Sequence, residues 1–98
     1  MPDREEIGLD RIIAAHDAVS GEYARTPSLK IPAVDDLLGG AIRLKAESLQ
    51  PSGSFKLRGV SSKLHYLSGE AELGVVAGTA GNHGRALAYG AKRRGVPC

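Results

Sequence analysis

Two short stretches carry residue types that could do chemistry. Lys56 stands within Ser52-Gly53-Ser54-Phe55-Lys56-Leu57-Arg58-Gly59, and Asn82 and His83 follow the loop Gly78-Thr79-Ala80-Gly81. A lysine attacks carbonyl carbon only as the neutral amine. Leu57, Val60, Leu64 and Leu67 recur at helical spacing, so Lys56 falls in the first turn of a predicted helix. The helix dipole is positive at that end, where a cation is misplaced and a neutral, nucleophilic amine is favoured. Gly53 permits a tight turn before the helix, and Ser54 can cap its free N–H groups. A solvated lysine near a helix start is the plainer alternative. For Asn82-His83 the plainer alternative is a helix cap followed by an exposed first-turn residue.

The elements that must position these residues read off in chain order. Leu9, Ile12, Ile13, His16 and Val19 share one face of a helix that ends near Ser20-Gly21; His16 reads as a packed or rim residue. Arg25-Thr26-Pro27-Ser28 follows, with Thr26 held extended by the proline. Pro32 to Leu38 is a short helix closed by Gly39-Gly40, and Ile42 to Ala46 is a strand. The Lys56 helix runs to about Leu67 and stops at Ser68-Gly69; the internal Gly59 suggests close approach by another backbone or a ligand. Leu73-Gly74-Val75-Val76-Ala77 is a continuous apolar run, as in a buried parallel strand. Asn82-His83-Gly84 opens a helix whose apolar side is Leu87, Ala88 and Ala91, and whose last turn carries Lys92, Arg93 and Arg94. Gly95-Val96-Pro97-Cys98 reads as a stop followed by the first residues of another strand.

This order predicts an α/β fold, an open parallel sheet with flanking helices and right-handed crossovers. The pattern breaks off mid-progression, so residues 1–98 are expected to be one partial domain, incomplete at residue 98. Both chemical loops follow the carboxyl ends of strands, where open parallel sheets bind their ligands. Helix N-termini and glycine-lined N–H groups suit a carboxylate or phosphate there. A nucleophilic lysine beside such an anion-binding loop points to Schiff-base chemistry on an amino acid.

Composition narrows the classes. With 42% hydrophobic and 24% charged residues in 98, the chain is an ordinary globular composition rather than a disordered one. A formal net charge of +2 and four aromatic residues give little support to nucleic-acid or anionic-membrane binding. The lone cysteine, Cys98, permits no internal disulfide and no Cys-rich metal site. The Pro2-Asp3-Arg4-Glu5-Glu6 start lacks the pattern of a secretion signal, and no run is long enough to cross a bilayer, so a cytoplasmic location is the default expectation. Gly78 to Gly81 has neither the glycine spacing of a dinucleotide fingerprint nor the Lys-Ser/Thr ending of a P-loop.

Lys45-Ala46-Glu47-Ser48-Leu49-Gln50-Pro51-Ser52-Gly53-Ser54-Phe55-Lys56-Leu57-Arg58-Gly59 resembles the lysine motif of threonine ammonia-lyase (threonine dehydratase) and serine racemase. These are fold type II, tryptophan-synthase-β-like pyridoxal-phosphate enzymes. Gly74-Val75-Val76 through Thr79-Ala80-Gly81-Asn82-His83-Gly84 resembles that family's asparagine loop, and Arg25-Thr26-Pro27 its N-terminal segment. The resemblance covers nearly the whole chain, and the motifs stand in the family's order and spacing. It implies pyridoxal 5'-phosphate as cofactor, bound as an internal aldimine by Lys56, which would also carry the proton at the substrate Cα. It implies Phe55 beside the cofactor and Asn82 on its 3-hydroxyl, with Thr79, Ala80, Gly81 and His83 around the substrate carboxylate.

The reaction implied is dehydration and deamination of a β-hydroxy amino acid, with L-threonine to 2-oxobutanoate and ammonia the leading assignment, and a homo-oligomer when complete. Leu57 stands where threonine and cysteine synthases of this fold carry Asp, and His83 where they carry Thr or Ala. Ala80 occupies the position of the serine that serves as second base in serine racemase, which argues against racemisation and leaves elimination intact. Gly81-Asn82-His83-Gly84-Arg85-Ala86 also resembles hydroxyectoine-utilisation dehydratases and diaminopropionate ammonia-lyases. The family's cofactor-phosphate loop and pyridine-nitrogen partner lie beyond position 98, so the isolated chain is expected to bind the cofactor poorly and to be inactive. A stand-alone, non-catalytic module that binds a small anion or pairs with another chain is the competing expectation.

Overall fold

The core lies between two helices in the second half of the chain. The computed structural model describes residues 6–98. Helix α3 (Lys56–Leu67) turns Leu57, Val60, Ser61 and Leu64 inward, and helix α4 (Asn82–Arg94) meets it with the small residues Ala86, Gly90 and Ala91. A Cβ added at Gly90 would lie 3.0 Å from Val60 Cγ1 and 3.1 Å from Leu64 Cδ1, so the glycine lets the two helix backbones close up. The buried side of α4 therefore runs through Ala86, Gly90 and Ala91, with Leu87 half-buried and Ala88 exposed. That corrects the expected Leu87-Ala88-Ala91 face, because the contact is made where side chains are smallest.

Helix α1 (Leu9–Val19) packs on α3 but buries only Val19; Leu9, Ile12 and Ile13 of its apolar stripe stay exposed. His16 sits on the rim as expected, its Nδ1 2.6 Å from the Tyr23 hydroxyl. A 3-10 turn (Ser20–Glu22) follows, and Glu22 pairs with Arg94 at 2.5 Å, joining α1 to the end of α4. Helix α2 (Pro32–Leu38) has the predicted bounds, with proline at its first position and Gly39 closing it.

Strand β1 (Ser28–Lys30) pairs antiparallel with β2 (Arg43–Lys45), in the register Leu29 opposite Leu44. Strand β2 lies within the predicted 42–46, whereas β1 falls just after Pro27, where no element is expected from the sequence. These two strands form the sheet among the described residues, and no parallel pair is present there. The strand expected over Leu73–Ala77 is not formed: Leu73 ends a 3-10 helix (Ser68–Leu73), and residues 74–79 have no regular structure. A strand exists by virtue of its ladder, and this segment has a single rung, from the Val75 N–H to the Pro97 carbonyl at 2.8 Å. Val76 is accordingly 94% exposed. The Val96-Pro97-Cys98 stub likewise has no strand assignment.

Candidate active site

Lys56 is the first residue of α3, and its position follows from the turn before it. Gly53 takes φ +87°, a left-handed value that its lack of Cβ permits, and its N–H reaches the Gln50 carbonyl at 2.8 Å. The chain then enters the helix with the Lys56 N–H donating to Ser54 Oγ at 3.4 Å, the capping role expected of Ser54. Lys56 opens onto a cleft of about 490 Å³ between α3 and the segment leading to α4. Val60, Leu64, Leu67, Val75 and Leu87 make its walls apolar, and Lys56, Lys63 and His83 supply its basic groups. Among the described residues, no carboxylate lines it.

The structure brings Lys56 and His83 onto this one cleft, whereas Phe55, Thr79, Ala80, Gly81 and Asn82 do not line it. Phe55 lies under the Lys56 ammonium, 5.5 Å from Nζ to ring centroid, and faces a separate hollow beside Leu29 and Leu44. Gly59 lines the cleft with open space above it, so the close approach expected there is not made by another backbone among the described residues. Thr79, Ala80, Gly81 and Asn82 form the exposed rim where α4 begins. Thr79 Oγ1 accepts the N–H groups of Gly81 at 3.2 Å and Gly84 at 3.1 Å, so threonine rather than Asn82 caps this helix. The Thr79 methyl occupies the space a Cβ at Gly84 would need, which gives that glycine a packing reason. The side chains of Asn82 and His83 make no hydrogen bond among the described residues and remain available to a ligand.

Behind the lysine lies a polar junction that sequence reasoning missed. Glu47 Oε2 accepts from Thr26 Oγ1 at 2.5 Å, from Gln50 Nε2 at 3.1 Å and from Arg58 Nη2 at 3.3 Å, while Arg58 Nε bonds Oε1. The buried Gln50 amide also exchanges two hydrogen bonds with the Ala24 backbone, at 2.7 and 2.8 Å. Lys45 Nζ donates to the Thr26 carbonyl at 2.5 Å, and Arg58 stacks 4.7 Å over the Tyr23 ring. The hydrogen bonds from Arg58 hold the Glu47 carboxyl down at about 2, against the opposing effect of burial, with Thr26 and Gln50 helping. Glu47 in turn raises Arg58 above its ordinary value. The only signal in the sequence is a Glu and a Gln in a loop ahead of the Lys-x-Arg triplet; their partners, remote in sequence, cannot be read from it.

The sign of the Glu47 effect on stability is fixed. A carboxyl lowered from 4.5 to about 2 in the folded chain contributes fully above 4.5, and the contribution fades as pH falls toward 2. Glu47→Gln is expected to lower stability at neutral pH by on the order of 2 kcal/mol. Urea denaturation of both proteins across acidic pH checks this: the gap between them narrows as pH drops.

An exposed amine with no carboxylate partner among the described residues, on an apolar-walled cleft that also holds an imidazole, is chemically suited to an aldehyde. The family description "Pyridoxal-phosphate dependent enzyme" matches residues 19–98. Serine racemase of Dictyostelium discoideum is 39% identical over 100 residues, covering 100% of this chain and 31% of that protein. L-threonine ammonia-lyase of Thermotoga maritima is 39% identical over 92 residues, covering 93% of this chain and 23% of that protein. The crystal structure of a threonine deaminase, from the organism abbreviated T.th., superposes with a TM-score of 0.81 at 40% identity, over 93% of this chain and 32% of that one. The chain belongs to the pyridoxal-phosphate dependent enzymes, and its fold is that of the fold type II class. It spans 23% to 32% of the length of these relatives.

The described residues are compatible with that cofactor, since Lys56 opens onto the cleft with no acid beside it among them. Among them, no group of three or more His, Cys, Asp or Glu could hold a metal ion, and no helix is long and apolar enough to cross a membrane.

Proposed function

We propose that this chain is the first part of a longer enzyme that dehydrates and deaminates a β-hydroxy amino acid, with L-threonine giving 2-oxobutanoate and ammonia. The observation that carries the reading is Lys56, placed at a helix start on an apolar cleft that holds His83 and, among the described residues, no acid. Pyridoxal phosphate, when bound, supplies the electron sink for charge developing at the substrate Cα. Lys56 anchors it and takes the Cα proton as general base. The free N–H groups where α4 begins, with Thr79, Ala80, Gly81 and His83, hold the substrate carboxylate, an anion suited to a helix N-terminus. Asn82 would hydrogen-bond the cofactor's 3-hydroxyl, and Phe55 would lie beside the cofactor. Loss of the β-hydroxyl releases water, and hydrolysis of the resulting enamine takes water back, so threonine leaves as 2-oxobutanoate plus ammonia.

Racemisation is the second reading, because a serine racemase is as similar to the chain as a threonine ammonia-lyase. It needs a proton donor on the face opposite Lys56, and the methyl group of Ala80, at the family's second-base position, cannot supply one. The test is to give the full-length protein L-threonine and L-serine separately, measuring 2-oxo acid by hydrazone formation and D-amino acid by chiral chromatography. Steady 2-oxobutanoate with no D-serine is the expected outcome. D-serine accumulating without 2-oxo acid would overturn it in favour of the racemase.

A further inference from the structure

We propose that Glu47 is a positioning residue for Lys56: by gripping Arg58 and Gln50 together it sets the direction in which the lysine amine enters the cleft. The inference rests on the reading of Lys56 as the cofactor-bearing lysine. Its geometric basis is the helix itself. Successive residues of an α-helix are turned by about 100°, so Arg58 points nearly opposite to Lys56 on the same first turn of α3. The two side chains do face different hollows: Lys56 shares its cleft with Gly59, Val60 and Lys63, whereas Arg58 faces Tyr23 and Ser62. Leu57, between them, is fully buried and acts as the pivot. Holding Arg58 from behind therefore fixes the rotation of the helix start about its own axis, and with it the aim of Lys56.

The other end of the loop is held at the same atom. Gln50 is clamped to the Ala24 backbone and donates to Glu47 Oε2, the oxygen that also takes Arg58 Nη2 and Thr26 Oγ1. The turn between these grips, including the left-handed Gly53 and the capping Ser54, is thus closed at both ends by one carboxylate. Glu47 touches neither the cleft nor Lys56, so its influence on chemistry is indirect. A purely structural role would spread its effect over the whole chain. A positioning role concentrates it on residues 51–58.

Glu47→Gln keeps the shape and removes the charge that holds the guanidinium. Amide hydrogen exchange is expected to speed up about tenfold more across residues 51–58 than in the α4 peptides, which follow only the general loss of stability. In the full-length protein, borohydride trapping of pyridoxal phosphate at Lys56, read by peptide mass against the other lysines, falls by a similar factor, and kcat drops while KM holds. Arg58→Lys keeps the charge but loses the two-pronged contact, and it gives the same local pattern at smaller amplitude even if the first variant folds poorly. Uniform acceleration of exchange in every peptide, or unchanged exchange with full trapping in both variants, would overturn the proposal. Absence of trapping at Lys56 in the unmutated full-length protein would instead overturn the reading of Lys56, leaving the exchange pattern to decide the role of Glu47.

Discussion

Lys56→Ala is expected to lower turnover in the full-length enzyme by at least about 10⁴-fold, the upper end of what one proton-transferring side chain contributes, because the covalent anchor is lost as well. The substitution should leave the fold intact. The Lys56 side chain is exposed and makes no ion pair among the described residues, and its named partner is the Phe55 ring. Alanine is also the best helix former, so α3 does not suffer at its first turn. The measurement is 2-oxo acid formation under saturating cofactor, with circular dichroism to confirm folding. In the isolated chain, borohydride reduction with pyridoxal phosphate is expected to give scattered lysine labelling that Lys56→Ala does not alter. Selective labelling of Lys56 there would mean that these residues already build a complete cofactor pocket.

Gly90→Leu is the second large effect, and it acts on stability rather than chemistry. The Cβ alone would come to 3.0 Å from Val60 and 3.1 Å from Leu64, and the branched side chain must then displace one of the helices. The α3–α4 contact holds most of the buried core (Leu57, Val60, Leu64 and Ala86), so separation exposes much of what keeps the chain folded. Overpacking at such a contact costs about 3 kcal/mol, or on the order of 15 °C in the melting midpoint for a domain of this size. Gly90→Ala is the informative control. Its gain of about 1 kcal/mol in helix propensity offsets a shift of a few tenths of an ångström at the stiff Val60 and the more mobile Leu64 end, so the midpoint should shift little. A large loss with alanine would show that Val60 and Leu64 cannot give way.

What can be read from the residues divides along the range of the interactions involved. Helix α2 is legible to the residue because its signals, Pro32 at the start and Gly39 at the end, lie in the segment itself. The placement of Lys56 at the start of α3 is legible for the same reason, since Gly53, Ser54 and the leucine spacing are local. The 73–77 run has the composition of a buried strand, yet strand structure is a property of pairs, and here Val75 finds one partner group, on Pro97. The buried side of α4 is easily misread because glycine and alanine carry little hydrophobic signal, although they allow the closest packing. The Glu47 junction is invisible in the sequence for a related reason. Thr26, Gln50 and Arg58 each look ordinary until the fold brings them to one carboxylate.

The lone rung between Val75 and Pro97 bears on how the protein is made. Helices α3 and α4 are neighbours in sequence and can dock as soon as both have left the ribosome, since contacts close along the chain form first. Only part of the 74–79 segment gains from that docking: Val75 packs against the core, but Val76 stays open to solvent, and its backbone groups find no backbone partner among the described residues. An apolar stretch with free hydrogen-bonding groups is a template for any other extended chain that meets it. Synthesis therefore passes through an interval in which the helical half is built and a sticky ribbon hangs beside it. Holding chaperones are expected to act in that interval, and translation speed over the codons that follow this segment sets how long the nascent chain depends on them.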